Sequence, residues 1–359
     1  MNPIRTAAAS IGLCLVYATS GLAEEGRIPI FESTTISAPG SYVVTRDIVG
    51  PAFLFAITVV ASAQSADIDL NGFTVTGIHA SGLVSLKVHN GRMQEPGIYI
   101  DGSRHLIVDR VTFNDAGIIS WNLESFSITR NLFPSTGNIS VDSTLGLASR
   151  PRGVIEDNVM ASGIISVQSQ SGPTQRGDGV LVRNNQISGG AFWAIFMGNQ
   201  DGCEVSGNRV TGVGATGIAI QASKDCAISN NRVTGSGLTG IEIVASNGNL
   251  IENNISNRNG QSGDPGSGSG IYVRDNYNLI RGNVTNENAL AGLHIDGCCN
   301  VYTGNMARGN LANPAGAACA NPAPTCAAPY GTGSSAPDLC NDGGASSLCD
   351  NMMPGPPPS

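Results

Sequence analysis

Two short segments late in the chain repeat one offset: Tyr272 with Arg274, and His294 with Asp296, with Glu242 upstream of both. A tyrosine, a histidine, an arginine and two carboxylates are the groups β-elimination beside a carboxylate requires. The arginine neutralises the acid, while Tyr272 and His294 take one proton and return another, in an order that residue type leaves open. Glu242 with Asp296 could also form the carboxylate pair of an inverting glycoside hydrolase, which needs roughly 6.5 to 9.5 Å between the groups. A second set, Tyr99, Asp101, Trp121 and Asp142, offers an aromatic stacking surface with hydrogen-bond acceptors or calcium ligands. The plain alternative for both sets is a solvated outer face. Separated by so much chain, neither set can act unless the fold gathers it.

Composition narrows the folds that can do so. Of 359 residues 47 are Gly, aromatics are 5% and charged residues 13%, against about 25% charged in an average chain. A long amphipathic bundle or coiled coil is excluded, whereas 41% hydrophobic residues suffice for a large core. No apolar run approaches the roughly 20 residues of a membrane span. Arg5, the apolar stretch Ala7 to Ala18 and the small-residue end Gly21-Leu22-Ala23 read as a signal peptide over residues 1–23. An exported protein, periplasmic or extracellular, is therefore expected. Loss of Arg5 with that segment takes the net charge from −8 to −9. An acidic chain whose only lysines are Lys87 and Lys224 gains nothing from nucleic acid or an anionic membrane surface.

The positioning element is a repeat. An apolar residue followed three positions later by Asn recurs at Ile128/Asn131, Ile155/Asn158, Val182/Asn185, Val205/Asn208, Ile228/Asn231, Ile251/Asn254, Ile280/Asn283 and Tyr302/Asn305. Successive Asn lie 27, 27, 23, 23, 23, 29 and 22 residues apart. Upstream, Arg110 falls in the Asn place and Asn71 and Asn90 are further candidate members. In phase with the series run short strands usually opened by Gly, such as Gly217-Ile-Ala-Ile220, Gly240-Ile-Glu-Ile243, Gly270-Ile-Tyr-Val273 and Gly292-Leu-His-Ile295. Segments this short cannot bury a face alone, but stacked coil on coil they enclose one core. An all-β parallel solenoid of about nine to eleven coils is predicted. Asn suits its corners because one amide both donates and accepts, so identical side chains about 4.8 Å apart bond up and down the stack.

The lines Ile228-Ser-Asn-Asn231-Arg-Val233 and Gly240-Ile-Glu-Ile-Val244 resemble the generic coil of the right-handed parallel β-helix proteins of the pectate-lyase-like superfamily. Ile36-Ser-Ala-Pro-Gly40 to Asp47, followed by Ile68-Asp-Leu-Asn71-Gly, resembles the opening of secreted bacterial members. The resemblance covers about residues 61–310. It implies that the Gly-Ile-x-Ile strands form the first sheet, that Asn sits between the second and third, and that loops before the first sheet border a substrate groove. Lyases, hydrolases, epimerases, adhesins and non-catalytic helpers share this repeat, so fold alone does not choose among them. No Asn-Thr-Asp or Gly-His-Gly run of polygalacturonase type occurs, and Ser149-Arg-Pro-Arg152 does not reproduce the pectate-lyase Arg-x-Pro-x-x-Arg pattern.

In that frame residues 24–60 are expected to form an N-terminal cap, 61–310 the β-helix and 311–359 a Cys/Pro/Gly-rich tail tied by disulfides. Cys203 and Cys226, one 23-residue coil apart, are expected to face each other and bridge. Cys298, Cys299, Cys319, Cys326, Cys340 and Cys349 would supply three more bridges. No Cys-x-x-Cys pair occurs, so no metal is expected at the cysteines. Alternation of strand side chains assigns one outward column to Tyr99, Ile119, Ser140, Ile165, Phe196, Ala219, Glu242, Tyr272 and His294. The other reads Asp101, Trp121, Asp142, Val167, Gly198, Gln221, Val244, Arg274 and Asp296. The expectation is an exported protein that binds a polysaccharide or cell-envelope glycan along this face, at Phe196, Tyr99, Asp101, Trp121 and Asp142. It would cleave the glycan by elimination at Tyr272, His294 and Arg274 with Glu242 and Asp296. The alternatives are a non-catalytic scaffold or adhesin and an inverting hydrolase.

Overall fold

The computed structural model describes residues 26–50, 54–143, 151–169, 176–264, 267–295, 300–310 and 339–340. The signal segment 1–23, Asp296 and Cys298, Cys299, Cys319, Cys326 and Cys349 lie outside them. The described chain is a parallel β-solenoid of about 11 turns. Its one helical element among the described residues is a 3-10 turn, Ala61–Ala63.

Each turn contributes to three files of strands. The first file includes Ile195–Gly198, Ile218–Gln221, Ile241–Val244, Ile271–Val273 and Leu293–Ile295, paired in parallel one above the next. The second runs through Glu204–Ser206, Ala227–Ser229 and Leu250–Glu252, and the third through Arg209–Thr211, Arg232–Thr234 and Ile255–Asn257. Parallel pairing already begins at Ile28–Ile30, which lies against Tyr42–Val44. At the other end Leu339–Cys340 pairs antiparallel with Leu293–Ile295.

Inward positions form columns of Ile and Val. Ile118, Ile139, Ile165, Ile195, Ile218, Ile241 and Ile271 stack in register and are fully buried. The glycines that open these strands are required by the coil below. A Cβ at Gly217, Gly240 or Gly270 would come within 2.6 Å of the backbone oxygen of Gly240, Gly270 or Gly292 respectively.

All eight predicted asparagines line up in one file. The side-chain NH2 of each donates to the next amide oxygen at 2.9 to 3.0 Å, from Asn131 to Asn305. The same oxygen also accepts the backbone N–H of the preceding Asn, as at Asn208 to Asn231, 3.0 Å. The NH2 reaches back to a carbonyl as well, Asn231 to Val205 at 2.7 Å. Arg110, Asn71 and Asn90 are not members. Each adopts a left-handed backbone, as do Arg130, Asp157, Asn184 and Asn230, which directly precede ladder asparagines. Val111 holds the ladder place and donates its N–H to Asn131. The corner is thus a two-residue device, one residue with positive φ and then the ladder amide.

The disulfide Cys203–Cys226 is present, with Cα atoms 4.4 Å apart. It continues a second file downward, where the Cys226 N–H donates to Asn249, followed by Asn278 and Asn300. A third file runs Ser236, Asn259, Asn288 and Asn310.

Replacing Asn231 by Ala removes bonds to the coils on both sides at once and leaves buried partners unpaired. A loss of about 2 to 4 kcal/mol is expected, read as a fall in the urea midpoint, whereas Arg232→Ala on the exposed side of the next residue should change stability by less than about 0.5 kcal/mol.

Candidate functional site

On the first sheet, Glu242, Tyr272 and His294 occupy one outward column on three consecutive strands. The sequence places them there because each follows a buried Ile or Leu in the Gly-Ile-x-Ile pattern. The Tyr272 and His294 rings are tilted against each other with centroids 4.7 Å apart. Above Glu242 the column holds only Ala219, which is buried. The glutamate side chain therefore turns toward the turn before Ile218, where the Thr216 hydroxyl donates to its Oε2 at 3.2 Å. Burial raises the Glu242 carboxyl above the ordinary value of 4.5, against a smaller lowering by the Thr216 hydrogen bond. Thr216 was not legible in the sequence, since its position matters only once Ala219 leaves room for the carboxyl.

Arg274 follows Val273 at the strand end, exposed, with its backbone N–H on the carbonyl of Ile243. Among the described residues neither Glu242 nor Arg274 forms an ion pair. Asp296 lies outside the described residues. The described residues of the loop between Asn259 and the Tyr272 strand, the longest between coils and the expected wall of this patch, are gathered between two coils. Ser262 and Gln261 donate backbone N–H to Gly237 and Ser236 above it, while Leu290 below donates to Gly268. Gly260 and Gly268 pack backbone to backbone, so a Cβ on Gly260 would lie 2.7 Å from the Cα of Gly268.

The second predicted set is also brought together. Asp101, Trp121 and Asp142 occupy one column on consecutive strands. Tyr99 lies in the neighbouring column, 5.6 Å from the His79 ring and 6.2 Å from Phe55. Among the described residues the buried indole N–H of Trp121 has no acceptor. Trp121 stands between Asp101 and Asp142. No group of three or more His, Cys, Asp or Glu assembles as a metal site among the described residues.

Two column assignments shift by one residue. Ile165 and Val167 face the core and are fully buried, and Ser166 and Gln168 stand outward in their places, paired with Ser140 and Asp142 above and Phe196 and Gly198 below. The cause is an extra residue between Gly163 and the first inward Ile: Gly163 pairs with Gly137, so Ile164 falls opposite Asn138. Phe196 is in the predicted column but is only 8% exposed, because Trp193 packs over it with centroids 5.0 Å apart. Trp193 and Phe192 stand in the turn before Ile195–Gly198, outside the repeated pattern. The only advance signal was that Trp193 is one of two tryptophans in the chain.

The fold makes the chain a parallel β-helix protein, and residues 162–320 match the family described as right handed beta helix region. Among solved structures it is similar to the periplasmic alginate epimerase AlgG, at 12% identity and TM-score 0.46 over 74% of this chain and 76% of that one. It is similar also to the A-module of the Azotobacter vinelandii mannuronan C-5 epimerase AlgE4, at 14% identity and TM-score 0.45, over 79% of this chain and 86% of that one. No curated protein matches significantly in sequence. Among the described residues no helix is long and apolar enough to cross a membrane.

The raised Glu242 carboxyl gives a stability test with a definite sign. Its charged form is disfavoured in the folded state, so the cost is fully present above the folded value and disappears as pH falls below 4.5, the ordinary value. Glu242→Gln keeps an acceptor for Thr216 and should raise the thermal midpoint at neutral pH, by a margin that closes as the melts are repeated at increasingly acid pH.

Proposed function

We propose that this chain is an exported, carbohydrate-active β-helix that binds a uronate-containing polysaccharide along the first sheet and cleaves it by β-elimination at Tyr272 and His294. The observation that carries the reading is the in-register column of Glu242, Tyr272 and His294, with Arg274 just past the end of the Tyr272 strand. One of Tyr272 and His294 takes the proton from the carbon beside the sugar carboxylate. The electron pair left behind becomes a carbon–carbon double bond, the glycosidic C–O bond on the next carbon breaks, and the other residue protonates the departing oxygen. Arg274 holds the carboxylate by charge. Glu242, keeping its proton to higher pH than an ordinary glutamate, donates a hydrogen bond to that carboxylate, where a charged side chain would repel it.

The same raised carboxyl favours a second reading, an inverting hydrolase in which Glu242 is the general acid and Asp296 the base. Purified protein incubated with polygalacturonate, alginate and other uronate polymers separates the two. Elimination yields a conjugated unsaturated end that absorbs in the ultraviolet, and hydrolysis yields reducing ends without it. For elimination, Tyr272→Phe and His294→Ala should each lower kcat about 100-fold or more, while Arg274→Ala should chiefly raise KM. Wild-type rates in both ring variants would remove this site from the reaction. Binding without any new chain ends would leave the scaffold reading. Binding of the polyanion should also weaken as pH rises through the raised Glu242 value, and Glu242→Gln should flatten that dependence.

A further inference from the structure

The middle of the first sheet differs chemically from its ends. On the three strands that include Ser166, Phe196 and Ala219, the outward positions are Ser166 and Gln168, Phe196 and Gly198, and Ala219 and Gln221. None is ionisable. Phe196 lies down across the sheet because its neighbour is glycine: a Cβ at Gly198 would sit 3.0 Å from Phe196 Cε1 and 3.4 Å from Gln168 Cγ. Trp193, from the turn that leads into Ile195–Gly198, stacks on the flattened ring at 29°. The result is a fixed aromatic pair whose lower member is covered and whose upper member is 38% exposed, beside Phe192 at 70%. Gln168 and Gln221 stand exposed on the strands either side of Gly198.

We infer that Trp193, supported by Phe196 over Gly198 and joined by Phe192, is a pyranose-stacking subsite. The apolar face of a sugar ring lies on the indole, and its hydroxyls reach the carboxamides of Gln168 and Gln221. Phe196 is two strand spacings from Glu242 in the same column, roughly 10 Å, so a glycan following the column passes over both. The inference rests on the proposed glycan-binding reading and deepens it: this station recognises ring faces and hydroxyls, and leaves charge recognition to Arg274. It replaces Phe196 with Trp193 as the contacting ring.

The test uses full-length protein carrying Trp121→Phe, in which Trp193 is the one tryptophan left. Oligouronates of increasing length and their carboxyl-reduced, neutral counterparts are titrated while indole emission is followed. The expected result is a saturable blue shift with both series and, by titration calorimetry for the Trp193 variants, which carry no indole, an affinity that Trp193→Ala lowers roughly tenfold. Trp193→Phe should retain most of the binding. Gly198→Ala, which keeps the indole but lifts its support, should weaken it as Trp193→Ala does. Added salt should change the neutral series little. Emission that ignores both series, or Trp193→Ala binding as tightly as its parent, overturns the subsite. So does self-association in sedimentation that Trp193→Ala abolishes, because a second copy would then be the occupant. The subsite and the reaction fail separately. Sugar-dependent emission without new chain ends keeps the subsite and loses the elimination, and elimination with unaltered KM in Trp193→Ala does the reverse.

Discussion

Every ladder amide from Asn131 to Asn283 ties its own coil to two others, and the register of the solenoid depends on it. The oxygen of Asn231 accepts both the backbone N–H and the NH2 of Asn208, and its own NH2 donates forward to Asn254 and backward to Val205. These groups are buried at a corner where the backbone changes direction and cannot complete a sheet ladder. Unpaired, each would carry the desolvation cost of a buried amide. Asparagine closes this set, because neighbours one strand spacing apart need a side chain that donates in one direction and accepts in the other. The left-handed residue before it aims the amide along the stack instead of outward.

That constraint separates register from loop length. Asn254 and Asn283 are 29 residues apart and Asn208 and Asn231 are 23, yet the amide contacts are 2.9 and 3.0 Å. Ile241 and its partner Ile271 are 30 residues apart where Ile218 and Ile241 are 23, and one residue fewer between Ile271 and Leu279 restores the net six without displacing the strands that follow. The outward columns of the first sheet therefore stay aligned across coils of unequal length. This is why Glu242, Tyr272 and His294 were legible from sequence although the gaps between them differ. Legibility failed where the residue type changes while the place does not. Cys226 and Ser236 hold file positions that Asn takes only from Asn249 and Asn259 onward, so no repeated letter announced the second and third files. Reading also slipped by one around Ile165, because the opening glycine there is one residue further from the first inward side chain.

Charge is distributed by the same stacking. On the second sheet and its corner, opposite charges meet one coil apart, Glu156 with Arg183, Glu252 with Arg281 and Asp109 with Arg130, and past the end of the third sheet Arg258 meets Glu287 in the same way. In-register pairing lets a charge on one turn be answered on the next, so this face of an acidic chain is largely neutralised within itself. On the first sheet the pattern is different. Glu242 is held by a hydroxyl and by burial, and among the described residues neither it nor Arg274 has an opposite charge on a neighbouring turn.

A solenoid of this kind presents a periodic face with a step of about 4.8 Å, and periodicity by itself selects nothing. Selectivity has to come from breaks in the period, and here they are of two kinds. One is substitution within the column, where Ala219 opens space that lets Glu242 turn toward Thr216. The other is supplied by turns: the segment ending in Trp193 lays an indole over Phe196, and the enlarged loop that follows Asn259 lies between adjacent coils ahead of Tyr272. Both kinds leave the ladders untouched, since neither involves an inward residue or a corner amide. Outward side chains on this face can therefore vary without a stability penalty from the core, whereas a change at a ladder asparagine unpairs buried groups on the coils to either side of it.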